Sequence, residues 1–229
     1  MTRTDKKNKP EADHTRIAHD GIRRLLFENK IVPGQKLSCR MIAESLNMSL
    51  TPVVQALKIL EFQGLVRHIP NKGYYTEPLS LQEIKEIYDL REAVEISLLP
   101  KVIENLDNDS ISKLRGFLET NHGGEMDLNT RLIMDRDFHT LLSSISKQQV
   151  QMHILQNLFD LLYLKYWASL LFVASEVIVG SQHQMIFDAL VTRDILQAED
   201  AMKKHFSTIR AKALSTLSQI LAGKDVCRS

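Results

Sequence analysis

The chain has 229 residues, of which 44% are hydrophobic and 25% are charged. This length and composition allow one large domain or two ordinary ones with hydrophobic cores, and they exclude a largely disordered protein. The chain has no run of about 18 apolar residues, its first residues are polar, and Cys39 and Cys227 are its two cysteines. We therefore expect a cytoplasmic protein with neither a membrane segment nor a disulfide framework.

The charge is unevenly distributed along the chain, although the formal net charge is only +1. Residues 1–76 carry 13 Lys and Arg against 7 Asp and Glu, whereas residues 77–229 carry 16 against 21. The small net charge argues against a protein that coats nucleic acid nonspecifically. The basic first third is suited to binding a polyanion.

The first predicted helix follows a charged segment. Residues 1–13 lack apolar periodicity, and we expect a flexible arm there; contact with phosphate is the alternative to simple solvation of its basic residues. From Ile17 to about Asn29, apolar residues recur at helical spacing. Pro33 and Gly34 then indicate a turn.

Two further helices are predicted from their start signals. Ser38 is expected to cap a helix that ends near Leu46. Thr51 is expected to cap a third helix with Pro52 at its first position, where the missing N–H of proline removes no helical hydrogen bond.

A β-hairpin is predicted after the third helix. Residues 65–69 and 74–76 are typical of short strands, and the sequence Pro-Asn-Lys-Gly at 70–73 is typical of a turn. Three helices and a hairpin form a winged helix, which we place at residues 14–77. In such domains one helix enters the major groove of DNA, here the helix at 51–62. The pattern alone leaves a plain helical packing unit open, and the basic charge favours DNA binding.

The remainder of the chain, residues 80–222, is predicted to form a helical domain. Ser80 and Glu83 have the spacing of a capping box at its start. Later helices are expected near residues 109–121, 127–146, 148–172, 175–191 and 194–222. The predicted fold class is therefore mainly α, with a winged helix-turn-helix followed by an all-helical bundle.

Residues 32–75 resemble the winged helix of the GntR family of bacterial transcription regulators. The matching residues, in that family's order and spacing, are Val32-Pro33-Gly34, Leu37, Ile42-Ala43, Leu46, Ser49, Thr51-Pro52-Val53, Ala56-Leu57, Leu60, Gly64-Leu65-Val66 and Asn71-Lys72-Gly73. The resemblance implies binding to a double-stranded DNA operator. It places Ser49, Thr51 and Gly73 near the DNA, and Arg40 at the position of an arginine that contacts DNA.

The full set of predicted DNA-binding residues is Arg40, Ser49, Thr51, Pro52, Lys58, Lys72 and Gly73. Leu50 and Val54 depart from the family, which usually has arginine at both positions. The loss of two charges predicts modest affinity or an atypical operator, and a weaker salt dependence. Lys58, Arg67 and Lys72 could compensate in part, and ordinary solvated charges are the alternative for each.

Four residues of the helical part have a spacing that is suited to a metal ion. Asp135 and His139 are four positions apart and project from one face of a helix. His183 and His205 lie 22 positions apart, at equal distances from the corner at 193–194, and would face each other in a helical hairpin. One ion could therefore join three helices.

The same residues resemble the metal-binding pattern of FCD, the effector domain of the FadR subfamily, over about residues 80–215. Metal-binding members carry an Asp-x-x-Phe-His element, here residues 135–139, and two later histidines. The resemblance implies a divalent Zn, Ni or Mn ion with open coordination positions. Asp137 is the competing carboxylate, but it is two positions from His139 and is expected to point away.

The resemblance also implies regulation and not catalysis, since no catalytic base and nucleophile are evident. A small anionic effector, such as a carboxylate, is expected at the ion, and Arg91 is a second expected anchor; an ion pair with Glu95 is the alternative. We expect a homodimer with two reading helices about one DNA turn apart. A metal-sensing regulator, a single-metal enzyme and a helical interaction module with incidental histidines are the remaining alternatives.

Overall fold

The computed structural model describes residues 11–120, 128–166 and 176–226, and all structural statements concern this part of the chain. The chain divides into two compact units. The first ends at Leu79 and the second begins at Ser80, except that residues 163–165 are grouped with the first. Residues 1–10 of the predicted arm lie outside the described residues.

The first unit contains three helices and a small antiparallel sheet. Its elements are α1 (Glu11–Phe27), β1 (Lys36–Leu37), α2 (Cys39–Ser45), α3 (Leu50–Phe62), β2 (Val66–Ile69) and β3 (Gly73–Thr76). The strand order is β1-β3-β2, and α1 and α2 both pack against α3. The predicted hairpin is confirmed, and β1 is an addition that the sequence did not indicate, because two residues are too few for a strand pattern.

The starts of the three helices of this unit agree with the sequence at one position and differ at two. Ser38 caps α2, since its side chain accepts a hydrogen bond from the Met41 N–H. The cap of α3 is Ser49, so the prediction of Thr51 was wrong by two residues. Pro52 still lies in the first turn, where its missing N–H costs no helical bond. The first helix begins at Glu11, so residues 11–13 are helical.

Thr76 ties the turn after α1 to the sheet. Its buried hydroxyl accepts a hydrogen bond from the Gln35 N–H at 2.8 Å and donates one to the Val32 carbonyl at 2.6 Å. One side chain on β3 therefore holds the loop at 32–35 in place. The core beneath this sheet is formed by apolar side chains of α1 and α3, such as Ile22, Leu57 and Leu60.

The second unit is helical throughout its described residues. Its elements are α4 (Leu81–Asn105), α5 (Asn108–Thr120), α6 (Leu128–Ser146), α7 (Gln149–Asp160), α8 (Glu176–Val191) and α9 (Ile195–Val226). A π-helical segment (Leu161–Lys165) follows α7, and its last three residues are those grouped with the first unit. The predicted mainly α fold is confirmed. The helix expected at 148–172 continues through Asp160 and changes there from α-helical to π-helical hydrogen bonding, and residues 167–172 lie outside the described residues.

Helix α4 is central to this unit, because it packs against α6, α7 and α9, while α8 packs against α9. Ser80 caps α4 by accepting a hydrogen bond from the Glu83 N–H. The Ser80 N–H donates to the hydroxyl of Tyr166, which in turn donates to Glu83. In a simple capping box the glutamate side chain accepts the hydrogen bond from the N–H of the capping residue, and here the Tyr166 hydroxyl accepts it instead. None of the described helices is both long and apolar enough to cross a membrane.

Candidate metal centre and DNA-binding surface

The structure brings Asp135, His139, His183 and His205 together in the second unit. Asp135 and His139 lie one turn apart on α6, His183 lies on α8, and His205 lies on α9. One ligand atom from each residue lies within 4.8 Å of the other three. Packing of three helices therefore assembles the four donors that the sequence had separated by up to 70 positions.

The four ligand atoms face a common point. Asp135 Oδ1 lies 3.3 Å from Nε2 of His183, 3.5 Å from Nε2 of His205 and 3.6 Å from Nε2 of His139. The ring of His183 stacks on Phe138 with a centroid distance of 4.1 Å, which fixes the plane of this ligand. The three histidines are buried and the Asp135 side chain is nearly so.

Two of the converging atoms show that these residues fit a metal ion. Among the described residues, no well-formed hydrogen bond reaches Asp135 Oδ1 or His183 Nε2, although both atoms are buried. A buried polar atom without a partner is costly, and coordination to a cation would satisfy both atoms. Three imidazole nitrogens and one carboxylate oxygen form a donor set that is suited to divalent transition metals.

Electrostatics divide the cluster into charged and neutral members. Burial disfavours the charged form of Asp135, but the neighbouring His139, His183 and His205 outweigh this cost and lower the pKa of Asp135 well below its usual value. Burial also disfavours the charged form of His139, but the charges of Glu95 and Asp135 outweigh it and raise the pKa of His139 to about 9. Burial lowers the pKa of His183 to about 3 and also lowers the pKa of His205. His183 and His205 are therefore neutral, as metal ligands must be.

Helix α4 places an ion pair beside the cluster. Arg91 is 1% exposed and donates from Nε to Glu95 at 3.0 Å, and its Nη1 lies 3.9 Å from Asp135 Oδ2. Its guanidinium also lies over the rings of Phe159 and Phe206, at 4.5 and 5.1 Å from their centroids. The ion pair with Glu95, which the sequence left open, is thus present.

Glu95 also contacts Nδ1 of His139, a contact that the sequence analysis missed. The available signal was weak, since spacing on α4 relates Glu95 to Arg91 but not to a side chain on another helix. Asp137, the competing carboxylate, pairs with Arg136 at 2.8 Å, and its side chain is about half exposed. It lies away from the cluster, as its two-residue offset from His139 predicted.

The predicted DNA contacts lie in the first unit around α2, α3 and the hairpin. The exposed residues are Ser49 and Thr51 at the start of α3, Lys58 further along it, Lys72 in the hairpin turn and Arg40 on α2. Gly73, with a φ of +94°, follows Lys72, and this left-handed conformation favours glycine. The prediction that Pro52 contacts DNA is corrected, because its ring is buried with the apolar face of α3.

The start of α3 presents apolar side chains to solvent. Leu50 is 51% exposed and Val54 is half-buried. Arg40, which could supply charge nearby, pairs with Glu44 at 3.1 Å, but both side chains are largely exposed. An exposed pair of this kind is weak, so Arg40 can exchange Glu44 for a phosphate.

Comparison with known proteins agrees with both units. Residues 86–208 match the FCD domain family, and residues 15–75 match the family described as bacterial regulatory proteins, gntR family. The HTH-type transcriptional repressor RspR of Escherichia coli (strain K12) is 26% identical over 190 residues, which cover 82% of this chain and 83% of the relative. The uncharacterized HTH-type transcriptional regulator YdhC of Bacillus subtilis is 24% identical over 198 residues, with coverages of 82% and 86%.

The solved structure of E. coli McbR/YncC has a similar fold. Its TM-score is 0.70 at 17% identity, and the match covers 89% of this chain and 98% of that one. The relatives are transcriptional regulators and not enzymes, so the single-metal enzyme alternative is set aside. A winged helix, a helical domain and both family matches lead to one conclusion: the chain belongs to the GntR family of bacterial DNA-binding transcription regulators and carries an FCD effector domain.

Proposed function

We propose that this regulator binds its operator as a homodimer and that a small anionic effector, held at a divalent metal ion in the FCD domain, controls the binding. The observation that carries the proposal is the convergence of four buried ligand atoms within 4.8 Å. The proposed ligands are Asp135, His139, His183 and His205, and Zn, Ni and Mn suit such a donor set.

The bound ion would supply a fixed positive charge with open coordination positions for a carboxylate. The surrounding side chains support this use, because Arg91 adds a second positive charge 3.9 Å from Asp135. Its ion pair with Glu95 partly neutralises that charge. We therefore propose the ion as the main anchor of the effector and Arg91 as a weaker second one.

On the DNA side, we propose that α3 enters the major groove and that the hairpin reaches the neighbouring backbone. The proposed contacts are Arg40, Ser49, Thr51, Lys58, Lys72 and Gly73. A two-fold dimer would place two such helices on half-sites about one DNA turn apart. The effector can change operator affinity only by the difference between its affinities for the two states of the dimer.

The test is fluorescence anisotropy with DNA from upstream of the chain's own gene, with scrambled DNA as control, at two salt concentrations. The titration is run with Zn²⁺, with a chelator, and with Zn²⁺ plus a panel of small hydroxy acids and sugar acids. A sequence preference that a carboxylate changes only when the metal is present supports the proposal.

Two other outcomes contradict parts of it. If Zn²⁺ alone switches DNA affinity and no carboxylate adds to the effect, the chain is a metal-sensing regulator. If the native protein shows no sequence preference at either salt concentration, the proposed operator is wrong. Asp135→Asn separates the effects of the site from general metal effects, and Asp137→Asn is its matched control.

A further inference from the structure

Two of the metal-facing histidines have partners behind them, on the side away from the cluster. Nδ1 of His205 lies 3.2 Å from Oε1 of Gln182, and Nδ1 of His139 contacts Oε2 of Glu95. Gln182 is on α8 and Glu95 is on α4, and both side chains are buried. Neither residue belongs to the four proposed ligands.

The orientation of the Gln182 amide follows from Thr208, one turn after His205 on α9. The Thr208 hydroxyl donates its single hydrogen to the Lys204 carbonyl at 2.9 Å. Only its lone pairs therefore face Gln182, whose Nε2 lies 3.0 Å away and donates to them. The amide oxygen of Gln182 is thereby turned toward His205.

This chain of hydrogen bonds determines the tautomer of His205. An amide oxygen can only accept, so Nδ1 of His205 must carry the hydrogen. With a hydrogen on Nδ1, Nε2 is the ring nitrogen that is left to bind an ion, and this atom faces Asp135. For His139 the argument rests on a close contact, because Nδ1 faces the Glu95 carboxylate, which cannot donate, and this leaves Nε2 as the nitrogen that faces the cluster.

We propose that Glu95 and the Gln182–Thr208 pair are positioning residues for the metal ion. Each keeps a hydrogen on Nδ1 of one ligand histidine and so directs the Nε2 lone pair toward the ion, as carboxylates and carbonyls do behind many metal-bound histidines. This inference rests on the proposed metal site. It adds three residues on α4, α8 and α9 that determine how well the site binds metal.

The two supports differ in charge. Glu95 is an anion that Arg91 holds at 3.0 Å, whereas Gln182 is neutral and Thr208 holds it. A charged acceptor polarises the imidazole more strongly than a neutral one. We therefore expect loss of the Glu95 charge to weaken metal binding more than loss of the Thr208 hydroxyl.

The experiment is a Co²⁺ titration of the full chain, followed by visible absorption, with Zn²⁺ competition to obtain affinities. The variants are Glu95→Gln, Thr208→Val and Thr208→Ser. Glu92→Gln is the matched control, because Glu92 lies on the same helix but pairs with Arg210. Thermal unfolding without metal verifies that each variant is folded.

We expect Glu95→Gln and Thr208→Val to lower the affinity by about 10- to 100-fold, with the larger loss in Glu95→Gln, and to alter the Co²⁺ spectrum. Thr208→Ser retains the hydroxyl and should stay within about threefold of the native affinity, as should Glu92→Gln. If Thr208→Ser retains the metal affinity that Thr208→Val loses, the loss is due to the missing hydroxyl and not to altered packing.

The outcomes distinguish this inference from the metal site itself. If the native chain does not bind Co²⁺ or Zn²⁺, the proposed site fails and the inference fails with it. If the native chain binds but Glu95→Gln or Thr208→Val has unchanged affinity and spectrum, the assignment for that histidine is wrong. Equal losses in Thr208→Val and Thr208→Ser would also overturn the role of the hydroxyl.

Discussion

Nε2 of His139 lies 3.0 Å from Nε2 of His205, although the two residues are 66 positions apart in the chain and belong to different helices. Two imidazole lone pairs at this distance repel each other unless a proton or a cation lies between them. Without an ion, a proton on His139 meets this need, in keeping with its pKa of about 9. A divalent ion would replace that proton, so metal and proton compete for one place.

Replacement of Asp135 by asparagine should remove most metal binding, because it deletes the only carboxylate among the four converging ligands. For the native chain, Zn²⁺ at 100 times its dissociation constant should stabilise the fold by about 2.7 kcal/mol. Thermal unfolding with Zn²⁺ and with chelator measures the effect. Asp137→Asn, two positions along α6, should retain the native Zn²⁺-dependent shift, and a native shift in Asp135→Asn would contradict the site.

Acid should destabilise the metal-free protein through His183. Its folded-state pKa is about 3 because burial disfavours the charged form, with His205 and His139 adding repulsion and Asp135 opposing it. The unfolded chain takes up the proton near pH 6.5. Stability is therefore lost as the pH falls from about 6.5 toward 3, because the unfolded state binds more protons.

Urea unfolding between pH 7 and pH 4 measures this loss, and His183→Gln should show a shallower decline because it has no group to protonate. The contribution of His139 to stability has the opposite dependence on pH. Its raised pKa gives stability below about 6.5 that is lost as the pH rises toward 9. A decline of equal steepness in His183→Gln would show that other groups cause the acid effect.

Lys72 in the hairpin turn should bind a phosphate. Lys72→Ala is expected to weaken binding to all DNA sequences alike and to reduce the slope of log affinity against log salt by about 1. Lys101→Ala is the control, since this exposed lysine lies on α4 and pairs with Glu104. Anisotropy at several salt concentrations gives the slope, and an unchanged slope in Lys72→Ala would exclude the contact.

Leu50→Arg should strengthen DNA binding, because it restores a charge at an exposed position at the start of α3. One added phosphate contact is expected to steepen the salt slope by about 0.9. The same titration measures it. Ile59→Arg places a charge at another exposed apolar position of α3, past its first two turns, and tests whether any added charge has the same effect.

Thr76→Val should destabilise the winged helix by about 1–2 kcal/mol, because two hydrogen bonds of the buried hydroxyl are lost and the Gln35 N–H and Val32 carbonyl keep only their longer bond to each other. Urea unfolding measures the change. Thr120→Val removes an exposed hydroxyl that bonds only within its own helix and should cost less. Equal costs would show that Thr76 does not hold the loop.

Local signals in the sequence were enough to predict most of the helices and the hairpin. Ser38 was recognised as a cap and the hairpin by its turn residues, because both depend on contacts within a few positions. Asp135 and His139 were paired by helical spacing. The start of α3 was misplaced because Ser49 and Thr51 are both good caps, and a proline is accepted anywhere in the first turn.

The sequence by itself determined which residues lie on one helix face and, through the equal distances of His183 and His205 from one corner, which histidines could meet. Only the tertiary structure decided which side chains lie behind them. Glu95, Gln182 and Tyr166 act across helices, and their contacts depend on the rotation and tilt of packed helices. Periodicity determines the buried face of each helix, but it does not determine which residue of the facing helix lies opposite.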